Sequence, residues 1–132
     1  MHTNDVSLTF TGRLRSVRYA LRGIGIMLAS QQNAWIHALS TVAVIFTGLW
    51  FDLSWSEWCW IVLAFVSVWT AEALNTAIEF LTDVASPNFH PIAGKAKDVA
   101  AGAVLLAAIG AAIIGALIFG PKFVQLFRDM AN

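Results

Sequence analysis

The sequence predicts an all-α membrane protein, in which an N-terminal amphipathic helix lies on the membrane surface and three helices cross the bilayer. Hydrophobic residues make up 58% of the 132 residues and charged residues only 12%, which is about half the charged fraction of a soluble domain. So few charges cannot cover a water-facing surface. Three long apolar segments supply the spans, and the length allows a single domain, which we place over residues 1–132.

The three apolar segments meet the length of a membrane crossing, which is roughly 20 residues at 1.5 Å each. The third, Val99–Gly120, has no charged residue. The first runs from Ala34 to Trp50, and the second, from Trp58 to Leu81, contains a polar cluster. We therefore predict transmembrane helices over residues 34–53, 57–82 and 96–120.

A basic amphipathic segment precedes the spans. Its apolar residues recur every three or four positions, at Leu14, Val17, Leu21, Ile24 and Leu28. Its arginines fall between them with the same period, at Arg15, Arg18 and Arg22. This pattern predicts a surface helix over residues 7–30 on an anionic membrane. The alternative is a flank that only sets the topology of the chain.

The distribution of basic residues predicts the topology. The flank before the first span holds four arginines, whereas the first loop, "FDLSWSEW", has no lysine or arginine. The second loop region holds Lys95 and Lys97, and only Lys122 and Arg128 in the tail oppose the pattern. Because short basic segments stay in the cytoplasm, we expect the N-terminus inside and the C-terminus outside. The net charge is zero, so nucleic acid is an unexpected partner.

The second span carries a group of polar residues on one face. At 100° per residue, Glu72, Glu79 and Asp83 lie within roughly 40° of one another, and Asn75 lies about 60° away. Ionisable groups in a span cost several kcal/mol and normally face a bundle interior or an aqueous cavity. The cluster therefore indicates function. The alternative, strongest for Asp83, is that the carboxylates nearest the helix end are simply solvated at the membrane interface.

The loop after the second span brings further charges to this cluster. A short loop is expected at Ser86, Pro87, Asn88, Pro91 and Gly94, after which Lys97 and Asp98 start the third span. Carboxylates of one helix would then meet a lysine and a carboxylate of the next. A salt-bridged helix junction is the alternative to a binding site.

Two kinds of chemistry suit this set of residues. Phosphoryl transfer needs Mg²⁺ held by carboxylates, a cation for the phosphates and a base for the attacking hydroxyl, which Glu79, Lys97 and either Glu72 or Asp98 could supply in turn. The usual glycine-rich nucleotide-binding motifs are missing from the sequence. A proton relay or ion path would use buried carboxylates equally well. The residues alone leave a kinase and a transporter open.

Three stretches of the sequence are similar to a known family. "EALNTAIEFLTD", "HP" and "GKAKDVAAGAVL" resemble the signature of the small prokaryotic lipid kinases, the diacylglycerol kinase and undecaprenol kinase family. The resemblance covers about residues 13–122. It implies a homotrimer in the bacterial inner membrane, with active sites between neighbouring protomers near the cytoplasmic interface. ATP and Mg²⁺ would be the co-substrate and the cofactor, and a membrane lipid alcohol the substrate.

The resemblance also implies roles for individual residues. Glu72 would be the base that contacts the lipid hydroxyl, and Glu79 would be a Mg²⁺ ligand. The family often has a second metal-binding glutamate just before the first span, and Gln31 stands at that position here. A glutamine has no charge, so it would hold Mg²⁺ more weakly. The nucleotide-binding residues implied are Arg15, Tyr19, Asn75, Asp83, His90, Lys97 and Asp98.

The resemblance leaves some alternatives in place. A small channel or proton-coupled transport subunit would keep Glu72 and Glu79, but it has no use for the surface helix or for Lys97 and Asp98. A holin-like pore former predicts no aligned carboxylates. Undecaprenol and diacylglycerol each present one hydroxyl, so the catalytic residues do not show which of the two is the substrate. The sequence from "HP" to "KAKDVAAGAVL" is somewhat more similar to the undecaprenol kinases. We expect His37 to be a hydrogen-bonded interfacial residue.

Overall fold

The computed structural model describes residues 10–131, apart from the side chains of Phe10 and Gln32. This part of the chain folds into four helices, α1 (Phe10–Ser30), α2 (Gln32–Trp50), α3 (Trp55–Ala85) and α4 (Pro91–Ala131). Helices α2, α3 and α4 are each long and apolar enough to cross a membrane. The all-α class and the three spans are therefore confirmed. The trimer and the position of α1 on the membrane surface stay predictions.

The N-terminal boundaries of the helices have local causes. Helix α1 is described from Phe10 onward, so the predicted residues 7–9 lie outside the described part of the chain. Helix α3 begins after Ser54, two residues before the predicted start at 57. Ser54 Oγ accepts a hydrogen bond from the Glu57 amide, and the Glu57 carboxylate accepts one from the Ser54 amide at 2.8 Å. This capping box satisfies amide groups that the first helical turn leaves without partners.

Helix α4 is longer at both ends than predicted, because it starts at Pro91 rather than 96 and continues to Ala131 rather than 120. The expected loop is confirmed at Ser86, Pro87 and Asn88, but Pro91 and Gly94 belong to the first turn of α4. Proline suits the first helical position because the amide that it lacks has no partner there. The Gly94 amide donates to the carbonyl of His90 at 3.1 Å, inside that first turn. At 1.5 Å per residue α4 is about 60 Å long, so it extends beyond a bilayer core of about 30 Å.

The helices pack unevenly. Helices α3 and α4 form an antiparallel hairpin that makes most of the interhelical contacts, whereas α1 and α2 lie against it more loosely. At the end of the hairpin farthest from the polar cluster, Leu53, Ile61 and Phe119 form a small buried core. Glu57 and Lys122 form an ion pair at 3.1 Å beside it. This end anchors the hairpin and leaves the other end for the polar side chains.

Most of the large apolar side chains are exposed on the single chain, including Trp50, Trp55 and Leu106. A water-soluble monomer rarely exposes so much apolar surface. The exposed surface suits contact with lipid chains and with further copies of the chain.

Candidate functional site

Helix α3 arranges its polar residues in order of burial. The Asp83 side chain, near the end of the helix, is 64% exposed, Glu79 is half-buried, and Glu72 is 1% exposed. Measured from Asp83 toward the start of α3, at 1.5 Å per residue, Glu79 lies about 6 Å and Glu72 about 16 Å away. The face predicted from the spacing is therefore a line of carboxylates that leads from solvent into the protein.

Glu79 lies at the point where α2 begins beside α3. Its two carboxylate oxygens accept hydrogen bonds from two amides, Gln31 Nε2 at 2.5 Å and Asn75 Nδ2 at 3.0 Å. Gln31 is the N-cap residue of α2 and is 48 positions from Glu79 in the sequence. The structure thus places Gln31 next to the proposed metal ligand. The amide oxygen of Asn75 is buried and has no hydrogen-bond partner within residues 10–131.

Asp83 and Lys97 join the ends of α3 and α4. Lys97 Nζ donates to Asp83 Oδ1 at 2.5 Å, and both side chains are partly exposed. They line a cavity of about 240 Å³ together with His90 and the loop between the helices. The Nδ1 atom of His90 accepts a hydrogen bond from the Ile92 amide at 3.2 Å. Three of the predicted nucleotide-binding residues therefore share one cavity.

Glu72 is the deepest of the carboxylates. Both of its carboxylate oxygens are buried and have no hydrogen-bond partner among the described residues, and His37 Nε2 lies 3.9 Å from Oε2. Burying a charged group costs free energy unless a partner compensates it, and buried polar atoms without partners are rare in native proteins. The unused oxygens make Glu72 a candidate for binding a group that the protein itself does not supply.

The structure does not bring every predicted site residue into these clusters. Arg15 and Tyr19 are exposed on α1, and Asp98 is exposed on α4. Among the described side chains, no hydrogen bond or ion pair joins these three to Glu79 or to the Asp83–Lys97 pair. Within residues 10–131 no three His, Cys, Asp or Glu side chains converge as a ready metal site.

Two contacts of the site involve side chains whose partners could not be predicted from spacing. Gln31 touches Glu79, and His37 approaches Glu72. The signal that pointed to Gln31 was its position in the family pattern. The sequence analysis expected His37 only as a hydrogen-bonded interfacial residue. The signal that could have connected it with the site is an ionisable side chain in an otherwise apolar span, which is typical of functional sites in membranes.

The comparisons with known proteins find lipid kinases that are similar to this chain. The family model described as prokaryotic diacylglycerol kinase matches residues 18–119. The undecaprenol kinase of Bacillus subtilis is 40% identical over 121 residues, which are 92% of this chain and 95% of that protein. A diacylglycerol kinase of Synechocystis is 40% identical over 114 residues, 86% of this chain and 65% of that protein. The diacylglycerol kinase of Escherichia coli K12 is 24% identical over 114 residues, 86% of this chain and 93% of that protein.

These matches cover most of the chain, including all the carboxylates of α3 and the cavity at the start of α4. They confirm the resemblance found in the sequence and favour a kinase over a channel. The chain therefore belongs to the prokaryotic diacylglycerol kinase family of membrane lipid kinases.

Proposed function

We propose that this protein transfers the γ-phosphate of ATP to the hydroxyl group of a membrane lipid, either undecaprenol or diacylglycerol. The reaction takes place at the cytoplasmic face of the bacterial inner membrane. The observation that supports it best is the order of burial along α3, from the exposed Asp83 to the buried Glu72. ATP is confined to water and the lipid to the bilayer. A kinase that brings them together needs its phosphate-binding groups at the solvent-exposed end of the helix and its base at the buried end.

The residues from the exposed to the buried end of the site have different roles in the reaction. Lys97 supplies a cation for the phosphates, and the cavity that it shares with Asp83 and His90 receives part of the nucleotide. Glu72 accepts the proton of the lipid hydroxyl as the lipid oxygen forms a bond to the γ-phosphorus. The bond between that phosphorus and the bridging oxygen of ADP breaks, and ADP leaves with the electron pair. Burial of Glu72 excludes water, which would otherwise compete as the acceptor.

The residues around Glu79 fit a Mg²⁺ ion. Mg²⁺ in nucleotide enzymes is commonly held by one or two carboxylates together with phosphate oxygens and water. Glu79 offers the carboxylate, and the buried oxygen of Asn75 has no partner in the described part of the chain. The Gln31 side chain, which now donates to Glu79, carries an oxygen that rotation of its amide would present. Mg²⁺ bound here would neutralise negative charge on the phosphates.

The remaining predicted features complete the proposal. The N-terminus lies in the cytoplasm, which puts the ends of α3 and α4 that carry Asp83 and Lys97 on the side where ATP is found. Arg15 and Tyr19, exposed on α1, cover the nucleotide, and Asp98 organises its phosphates. The active protein is a homotrimer, in which the lipid reaches Glu72 between protomers. The extensive exposed apolar surface of the single chain supports this assembly.

A label-transfer experiment tests the proposed function. The protein is purified in mild detergent and incubated with Mg²⁺ and γ-labelled ATP, with undecaprenol and dioleoylglycerol offered separately. We expect label to enter the organic phase with at least one lipid. Glu79→Ala is expected to abolish it, because the variant loses the carboxylate that holds the metal. The matched control is Asp52→Asn, which removes an exposed carboxylate at the other end of α3.

Asp52 has a φ of 48°, a left-handed conformation that asparagine tolerates, so the control variant should keep its fold and activity. Label in neither lipid, from folded wild-type protein, would contradict the proposed function. The two lipids must be tested side by side because sequence identity does not separate them. The undecaprenol kinase and one diacylglycerol kinase are both 40% identical to this chain.

Gln31→Glu tests the position of the metal. The new carboxylate would face Glu79, so the two negative charges repel each other until a cation binds between them. We expect the Mg²⁺ concentration for half-maximal activity to fall several-fold, because Mg²⁺ gains a charged ligand. We also expect the thermal midpoint to fall in EDTA and to recover when Mg²⁺ is added without nucleotide. An unchanged or higher Mg²⁺ requirement would show that Gln31 is not near the metal.

A further inference from the structure

His37 is the ionisable side chain that the structure places beside the proposed base. Its Nε2 atom lies 3.9 Å from Glu72 Oε2. Among the described residues, no other Lys, Arg or His forms an ion pair with Glu72. Neither carboxylate oxygen has a hydrogen-bond partner. The imidazole is therefore the ionisable group placed to exchange a proton with Glu72.

The orientation of the His37 ring is set by its neighbours. The Trp69 ring packs edge-on against it, with centroids 6.4 Å apart and planes at 69°. Trp69 in turn donates from Nε1 to Thr41 Oγ1 at 3.2 Å, and Thr41 lies one turn along α2 from His37. The ring also lines an apolar cavity of about 380 Å³, whose other lining residues are all non-ionisable. Among the described residues, Glu72 is the acidic side chain that approaches a ring nitrogen of His37, at 3.9 Å.

The proposed reaction leaves a proton on a buried carboxyl group, and His37 is placed to remove it. After each transfer Glu72 holds the proton of the lipid hydroxyl, and the carboxyl group must lose it before the next turnover. Glu72 is 1% exposed, whereas the His37 side chain is 18% exposed and lies in the second turn of α2. Because the second turn of α2 lies close to the expected cytoplasmic interface, His37 is the neighbour through which a proton can pass from the buried carboxyl group toward water.

We propose that His37 is a positioning residue for Glu72, which takes over the proton of the carboxyl group after each transfer and so returns Glu72 to its basic form. The proposal rests on the proposed lipid kinase activity. In the resting state the imidazole carries its proton on Nδ1, so that Nε2 is free to accept. The O–H bond of the protonated Glu72 breaks as an N–H bond forms at His37 Nε2. The imidazolium then releases its Nδ1 proton to water, and a tautomeric shift restores the resting state.

The distance in the structure is compatible with this role. At 3.9 Å the two atoms are too far apart for a hydrogen bond. Catalytic hydrogen bonds are often long without substrate and shorten when the complex forms. A small movement of the Glu72 side chain would close the gap, since neither of its oxygens is held by another group.

Chemical rescue of His37→Ala tests the proposal, with the lipid that the wild-type protein phosphorylates. We expect kcat to fall at least about tenfold, as for the loss of a proton-transfer group, while KM for ATP stays within about twofold of the wild-type value. Imidazole added to the assay should restore much of the lost kcat. Pyrazole has the same shape but is a much weaker base, so it should restore none. His37→Gln fills the same space without basicity and should remain slow with either compound.

Several results would overturn the proposal. One is a kcat within about twofold of wild type in either folded variant, and another is equal rescue by imidazole and pyrazole, which would mean that the ring only fills space. Rescue of Glu72→Gln by imidazole would also contradict it, because the relay acts through the carboxylate. If wild-type protein labels neither lipid, the proposed function itself fails and the role of His37 fails with it.

Discussion

Glu72→Gln is expected to lower the turnover of lipid by about 100- to 10,000-fold, the range in which positioned general bases contribute. The glutamine side chain has nearly the same shape as glutamate, but it cannot accept the proton of the lipid hydroxyl. The variant should still bind ATP, because Asp83, which pairs with Lys97, lies about 16 Å from Glu72 along α3 at 1.5 Å per residue. Turnover and KM for ATP are measured with the label-transfer assay.

The thermal stability of Glu72→Gln separates a catalytic role from a structural one. Both carboxylate oxygens of Glu72 are buried and make no hydrogen bond to any residue that the structure describes, and an uncompensated buried charge destabilises the folded state. We therefore expect the thermal midpoint to stay the same or rise. Glu57→Gln makes the same change on the same helix, where the carboxylate pairs with Lys122. That control should lose some stability and keep turnover within about twofold. Wild-type turnover in Glu72→Gln would exclude Glu72 as the base.

The parts of this fold that the sequence predicts are those that depend on one helix at a time. The long apolar runs identify α2, α3 and α4 as spans, because length and composition alone decide whether a helix can cross a bilayer. The alignment of Glu72, Glu79 and Asp83 on one face follows from the helical period. Pairing of Asp83 with Lys97 follows from a short connection, which brings the end of α3 next to the start of α4.

Contacts that depend on the rotation of one helix against another could not be derived in this way. The approach of His37 to Glu72 needs the relative azimuth and depth of α2 and α3, and periodicity within each helix does not contain that information. The contact between Gln31 and Glu79 could be expected only from the family pattern. The predicted start of α4 was wrong because proline stops a helix in its interior but suits its first turn. Composition does not distinguish these two positions.

Lys97→Met is expected to lower kcat/KM for ATP by about 10- to 100-fold, the effect of losing one hydrogen bond to a charged group. Stability should hardly change. Lys97 and Asp83 are 38% and 64% exposed, and exposed ion pairs contribute about 0–1 kcal/mol. Lys95→Met is the matched control. Lys95 lies half a turn earlier on α4 and is exposed, so its loss should leave kcat/KM within about twofold of wild type.

An exchange of the two charges decides whether Lys97 binds phosphate or only joins the helices. The double variant Asp83→Lys, Lys97→Asp restores an ion pair between α3 and α4 but moves the cation from one helix to the other. If the pair serves only to hold the helix junction together, the double variant should recover the activity that Lys97→Met loses. If Lys97 contacts the phosphates, the double variant should remain about as slow as Lys97→Met, because the cation no longer lies on α4. We expect the second result, since the cavity beside the pair needs a cation for a nucleotide but the exposed junction does not depend on one for its stability.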